Sequence, residues 1–301
     1  MSWKDYCGRW SIFTSAGDNN SIRMWFEGGV SRRWDLIVAY YGDNEREFAE
    51  LSRVSNYAFR TKGGKFPNLK KFVAQQRGFF ERYSYIWVCD DDMRMSVAQI
   101  NEAFAITERL GFWIAQPAFH PKGNNYHTIN VYGGSQCDYR TVNYIENSVP
   151  IFRQDKLAEF LAIYDGSLPA EGIDFWYMNV FGANKLGRWN LFASLIRPSE
   201  LGRFAVIDKV QVINPHTKEK KGGREIERLQ PWSLQKVAWD EAMKKYGFVE
   251  FPHRTFVCRK IGDYKAGSVV ARYDVVKLIA AALVRKLRWL KARSLNVLFG
   301  H

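Results

Sequence analysis

Short apolar runs of strand length alternate with segments of helical period through the first third of the chain, and a layered α/β fold accommodates both. The runs WSIFT at 10–14, LIVAY at 36–40, YIWVC at 85–89 and the segment 112–116 read as buried strands. Helices are expected over 21–27, over 66–77 and from Ser96, where Gln99 completes a capping box and Val97, Ile100, Phe104 and Leu110 share one side. This part reads as a nucleotide-binding α/β half. Residues 117–150 turn rich in Gly, Asn, Tyr and His, a composition suited to substrate-facing loops and short hairpins. Beyond them, helices are expected over 154–164, from about Asp174, and over 233–246 with Gly247 closing the last, and a strand over 204–213.

The 301 residues are 47% hydrophobic and 25% charged, which excludes disordered, collagen-like and coiled-coil chains. With no internal repeat or low-complexity linker, the simplest partition is a catalytic-size domain over 1–265 and an extension over 266–301. Cys7, Cys89, Cys137 and Cys258 are scattered without metal-ligand spacing, so neither a zinc module nor a disulfide framework is expected, and a reducing compartment fits. Lys4, Asp5 and Arg9 interrupt the start of the chain, so no secretory signal is expected. A net charge of +13 calls for an anionic partner: nucleic acid, a membrane surface or a phosphorylated substrate.

The residues that suggest chemistry follow YIWVC directly, as Asp90, Asp91 and Asp92. In an extended segment Asp90 and Asp92 project to one side, and a carboxylate pair at the end of a buried strand suits Mn²⁺ or Mg²⁺ bridging to a diphosphate. A solvated turn capping the next helix is the plainer alternative for such a triplet. Three adjacent like charges repel, which favours a bound cation. Asp18 and Asn19, after the first strand, are candidate nucleotide contacts or a tight turn. Lys65, in the run Lys62-Gly63-Gly64-Lys65, is a candidate partner for a diphosphate, although the G-K-[ST] ending of a nucleotide-hydrolase loop is absent.

Seven segments in order, FTSAGDNN at 13–20, WDLIVAYYGD at 34–43, TKGGKFPNLK at 61–70, YIWVCDDDM at 85–93, AQPAF at 115–119, GIDFW at 172–176 and FAVIDKVQVINPHT at 204–217, together resemble a glycosyltransferase family of bacteria and plants once described only as a domain of unknown function. The resemblance implies a GT-A-like, Rossmann-type nucleotide-diphospho-sugar transferase fold, a divalent metal and a nucleotide-sugar donor, with a UDP-sugar favoured. Carried over residue by residue, it implies Asp90 and Asp92 as metal ligands with Asp91 beside the donor, His216 as a further metal or phosphate contact, and Asp174 as the acceptor-side base. Without the resemblance, His216 reads as a surface residue after Pro215, and Asp174 as a helix N-cap.

Residues 273–301 carry six Lys or Arg against Asp274 alone, and on a helical plot Val276, Ile279, Leu283, Leu287 and Leu290 fall on one face. A basic amphipathic helix of this kind suits an anionic bilayer, or packs on its own domain. The expectation is a peripheral enzyme on the cytosolic face of the plasma membrane, acting on a glycan or lipid-linked glycan in surface polysaccharide or lipopolysaccharide synthesis. A basic nucleic-acid binder or a membrane scaffold without activity is the alternative. No nucleic-acid partner is expected, since no recognition motif accompanies the charge and the acidic triplet would go unexplained.

Overall fold

A computed structural model describes residues 9–168, 170–186, 203–216 and 231–263. The extension 266–301, with its expected amphipathic helix, lies outside the described residues, as does Thr217. Nine strands make one mixed sheet: β1 (Trp10–Ala16), β2 (Trp34–Tyr40), β3 (Tyr57–Arg60), β4 (Tyr85–Val88), β5 (Ile114–Phe119), β6 (Tyr139–Val142), β7 (Ile151–Arg153), β8 (Phe204–Val212) and β9 (Thr255–Arg259). Their order is β3-β2-β1-β4-β7-β5-β8-β6-β9. The first four are mutually parallel, β7 runs antiparallel to β4 and β5, and β6 runs antiparallel to β8 and β9.

Strand alternation divides the apolar residues between two cores. On β1, β2 and β4, Ile12, Leu36, Val38 and Trp87 enter one core, and Phe13, Ile37, Ile86 and Val88 enter the other. Helix α2 (Lys65–Gln75) covers the second face with Phe66, Leu69 and Phe72, and α3 (Val97–Leu110) covers the first with Val97, Ile100 and Phe104. The expected capping box is present, with the Ser96 hydroxyl accepting from the Gln99 amide and Gln99 reaching back, and Gly111 ends α3 at φ 68°. The expected α/β class holds.

Several elements carry a weaker sequence signal. Helix α1 (Glu45–Val54) buries only Leu51 and is started by Asn44, whose side chain accepts from the amides of Arg46 and Glu47. Strand β3 is a half-exposed edge, and β6, β7 and β9 are each five residues or fewer. The remaining helices are α4 (Gln154–Ile163), α5 (Ile173–Val180) and α6 (Trp232–Tyr246), the last ended by Gly247 at φ 69°. Among the described residues, no helix is long and apolar enough to cross a membrane.

The cysteine expectation is corrected. Cys137 and Cys258, 121 positions apart, form a disulfide, because β6 and β9 are antiparallel neighbours that bring residues 137–142 and 255–259 side by side. Closing so long a loop stabilises by about 5 kcal/mol in the chain-entropy account. A non-reducing digest should yield the Cys137–Cys258 cross-linked peptide, and reduction should lower the melting temperature of the wild type but leave a Cys137→Ser/Cys258→Ser variant unmoved. Equal shifts in both would remove the bond from the stability account.

Candidate active site

The chain runs outward from β1 to β2 and β3 and returns to β4 on the other side of β1, so β1 and β4 flank the crevice where open α/β sheets take ligands. Both walls of that crevice are stitched together. The Gly17 amide donates to Asp91 Oδ2 at 2.9 Å, and the Ser21 amide donates to the Asp91 carbonyl at 2.7 Å. A Cβ on Gly17 would lie 2.5 Å from Cε2 of the Tyr41 ring, so a side chain there would require that ring to move.

The acidic segment differs from the extended geometry expected for it. It leaves β4 and turns at Asp91 and Asp92 rather than continuing as a strand. Asp90 goes to the α2 face, where its Oδ1 accepts from Lys65 Nζ at 2.7 Å. Asp91 is buried, and desolvation, then the Asp92 charge, push its carboxyl well above the usual range against the pull of the Gly17 amide. Lys65 gives its other contacts to the carbonyls of Asn147 at 2.6 Å and Ser148 at 3.2 Å. Its three donors are thereby directed to protein oxygens.

The other sequence candidates lie around this crevice or beyond it. Asp18 is exposed, accepts from the Tyr40 hydroxyl and takes the Asn44 amide at 3.2 Å, which ties the loop after β1 to the end of β2, and Asn19 beside it is exposed. His216 is exposed and its Nε2 lies 3.0 Å from the Lys122 carbonyl. Among the described residues, no group of three or more His, Cys, Asp or Glu is placed to hold a metal. A cleft of about 500 Å³ opens on the β5–β8 side of the triplet, lined by Met24, Arg94, Ser96, His120, Gln211 and Ile213 among others.

Asp174 belongs to a second group of acids. It is the second residue of α5 rather than its cap, a place held by Gly172 at φ 77°. A Cβ at Gly172 would meet the Trp239 ring at 2.3 Å, so that glycine sets the height at which α5 begins. Asp174 Oδ2 accepts from the Tyr144 hydroxyl at 2.6 Å and Oδ1 from the Phe175 amide at 2.9 Å. Burial outweighs these bonds and pushes the carboxyl up to about 6. Nearby, Glu146 is buried, accepts from Asn130 at 3.3 Å and Ser148 at 3.2 Å, and is pushed up to about 7 by desolvation and the Asp174 charge. Sequence reading missed Glu146 and Tyr144. Neither lies in a local motif, and both reach the site through the loop that carries Ser148 to the Asp90 amide.

The charge on Glu146 has a stability consequence. With its folded value near 7 against an ordinary 4.5, its contribution is fully present below pH 4.5 and is lost as pH rises through 7. Glu146→Gln should therefore gain on the wild type by on the order of 1–3 kcal/mol between pH 5 and pH 8. Urea titrations at both pH values check it, and a gap that stays constant would place Glu146 in a solvated environment.

No protein family and no curated protein matches the chain. Among solved structures, it is similar to S. aureus TarS 1–349 in complex with UDP-GlcNAc, at TM-score 0.46 and 12% identity over 78% of this chain and 66% of that one. It is also similar to S. aureus TarS 1–349, at 0.44 and 14% over 69% and 60%, and to GalNAc-T7 with UDP, GalNAc and Mn²⁺, at 0.48 and 9% over 78% and 47%. The chain thus spans between about half and two thirds of these structures. With every TM-score below 0.5, the functional reading is carried by the site's own geometry.

Proposed function

We propose that the chain is a GT-A-like glycosyltransferase that moves a sugar from a nucleotide-sugar donor to a hydroxyl of a glycan or lipid-linked glycan. The observation that carries this reading is the position of the acidic triplet. It leaves β4 at the switch-point crevice, with the backbone amides after β1 on one side and the buried Asp174–Glu146 pair on the other. One side suits a nucleotide diphosphate, and the other suits proton removal from an acceptor.

Asp90 and Asp92 offer hard carboxylate oxygens, and the crowding that raises Asp91 would be relieved by a cation, so the residues fit Mn²⁺ or Mg²⁺. Such ions are commonly held by one or two carboxylates with the remaining ligands from substrate phosphate and water, which agrees with the small protein donor set here. When bound, the ion would offset charge on the departing diphosphate. In the transfer, the acceptor hydroxyl gives its proton to the Asp174 carboxylate as its oxygen bonds the anomeric carbon. The bond from that carbon to the diphosphate breaks, and the electron pair leaves with the diphosphate. A carboxyl near 6 is ionised at neutral pH yet is a stronger base than an ordinary aspartate. The Tyr144 hydroxyl fixes its orientation.

A thermal-shift screen of UDP, GDP, ADP and dTDP and their sugars, with and without Mn²⁺, tests the donor side. At least one nucleotide should raise the melting temperature in a Mn²⁺-dependent way, and Asp92→Asn should erase that dependence; no shift with any nucleotide would overturn the transferase reading. Asp174→Asn should bind donor normally and turn over 10²- to 10⁴-fold more slowly, the usual cost of losing a positioned base. In the wild type kcat/KM should rise with pH through about 6, where Asp174 loses its proton, and the variant should lack that limb.

The basic stripe of residues 273–301 supports docking on the anionic cytosolic face of a membrane. The Cys137–Cys258 bond pulls the other way, because disulfides persist mainly in oxidising compartments. Co-sedimentation with anionic liposomes should fall as salt rises and vanish on truncation at residue 272, and thiol trapping in intact cells decides the compartment.

A further inference from the structure

Beside Asp174 the structure builds a shelf of rings unlike those in the two cores. His253 stacks on Tyr144 with centroids 3.8 Å apart and planes 20° apart, and His127 stands edge-on to both, 4.9 Å from Tyr144 and 4.8 Å from His253. Phe175 backs the shelf, 5.4 Å from Tyr144 and 5.9 Å from His253. Tyr144 is fully buried, and the two histidines above it are half-buried.

The shelf is deliberately held. Asn143 donates to the Pro252 carbonyl at 3.0 Å and accepts from the Arg254 amide at 2.6 Å, bracketing His253 from both sides. Asn179 does the same for Val249, through bonds of 2.8 Å and 3.2 Å. His127 opens the turn whose Asn130 amide returns to its carbonyl at 3.0 Å, and Asn130 in turn donates to Glu146. Ring planes held by backbone clamps do not need ring hydrogen bonds, and neither imidazole has one to another described residue. Burial holds both histidines below their ordinary value, His253 at about 4, so both are neutral at pH 7.

We propose that this shelf seats the acceptor: an uncharged pyranose ring lies with its C–H face on His253 and its rim against His127, which stands at 80° to it, with its hydroxyls bonded by the imidazole nitrogens and one of them presented to Asp174. A pyranose is apolar on its faces and hydroxylated at its rim, and flat rings whose neutral nitrogens have no hydrogen bond to another described residue complement both features. A neutral imidazole has one donor and one acceptor nitrogen, as a hydroxyl is both donor and acceptor. The nearby acids Asp174, Glu146 and Glu250 disfavour an anionic sugar. The delivery of the hydroxyl to Asp174 rests on the transferase reading, and the seating of the ring does not.

Saturation-transfer NMR on the full chain, using methyl glycosides of glucose, mannose and N-acetylglucosamine with methyl glucuronide as the charged comparison, tests the proposal, with UDP binding measured in parallel. At least one uncharged glycoside should be saturated most strongly at its ring C–H protons. His253→Ala and His127→Ala should each weaken it about five- to tenfold, leaving UDP binding unchanged. His253→Phe, which keeps the ring and removes the nitrogens, should retain part of the stacking signal and keeps the test decisive if the alanine variant fails to fold. No signal from any uncharged glycoside, a signal in both histidine variants undiminished from the wild type, or preference for the glucuronide would overturn the shelf. Glycoside binding without any nucleotide binding would uphold the shelf and overturn the transferase reading.

Discussion

A single buried ammonium joins the elements on which the site depends. Lys65, at the first turn of α2, is 8% exposed and reaches the Asp90 carboxylate and the carbonyls of Asn147 and Ser148. Those partners come from two parts of the chain far apart in sequence, the end of β4 and the loop between β6 and β7. Desolvating an ammonium costs several kcal/mol, which only a full set of oxygens on three sides offsets. The lysine therefore fixes the distance between the acidic triplet and the loop that carries Glu146. It also balances the Asp90 carboxylate locally.

The sheet supplies the other constraint. Because β1, β2 and β4 are covered on both faces, every residue of these strands is buried, polar Ser11, Thr14, Ser15 and Asp35 included, and the chain leaves the core only past the strand ends. Both Gly17 and the acidic triplet occupy such positions, on strands that are hydrogen-bonded neighbours. Their meeting is a consequence of parallel register as much as of chemistry. Trp10 pairs with Tyr85 and Phe13 with Val88, and β1 continues past the end of β4 to Ala16, so the Gly17 amide arrives over the turn after β4 and reaches Asp91 without a connecting element.

That half of the protein was legible in the sequence for the same reason. Buried parallel strands write themselves as unbroken apolar runs, and α3 announces its start with Ser96 and Gln99. Elements that are mostly solvated left little trace: α1 buries Leu51 alone, and β3 lies at the sheet edge. The expected extension of Asp90 through Asp92 failed because an i, i+2 argument assumes a strand continues, whereas the chain turns at Asp91 and Asp92. The second acid group was invisible for a different reason. His127, Tyr144, Asp174 and His253 come from four segments, joined by the long-range bonds of Asn143 to residues 252 and 254 and of Asn179 to residue 249. No local period or spacing encodes such a meeting.

The two sides of the crevice therefore answer to different rules. On the β1–β4 side, backbone amides and strand register set the geometry, and a substitution that fits the core leaves it intact. On the far side, side-chain amides clamp loops against one another, and buried carboxyls pushed up to about 6 and about 7 are kept there at a cost to folding. A merely structural cluster would be cheaper with amides in their place. Keeping ionisable oxygens under a shelf of neutral rings makes physical sense where a hydroxyl must surrender a proton, and the adjacent loops can be reshaped around a new ring without disturbing the strands that hold the acidic triplet.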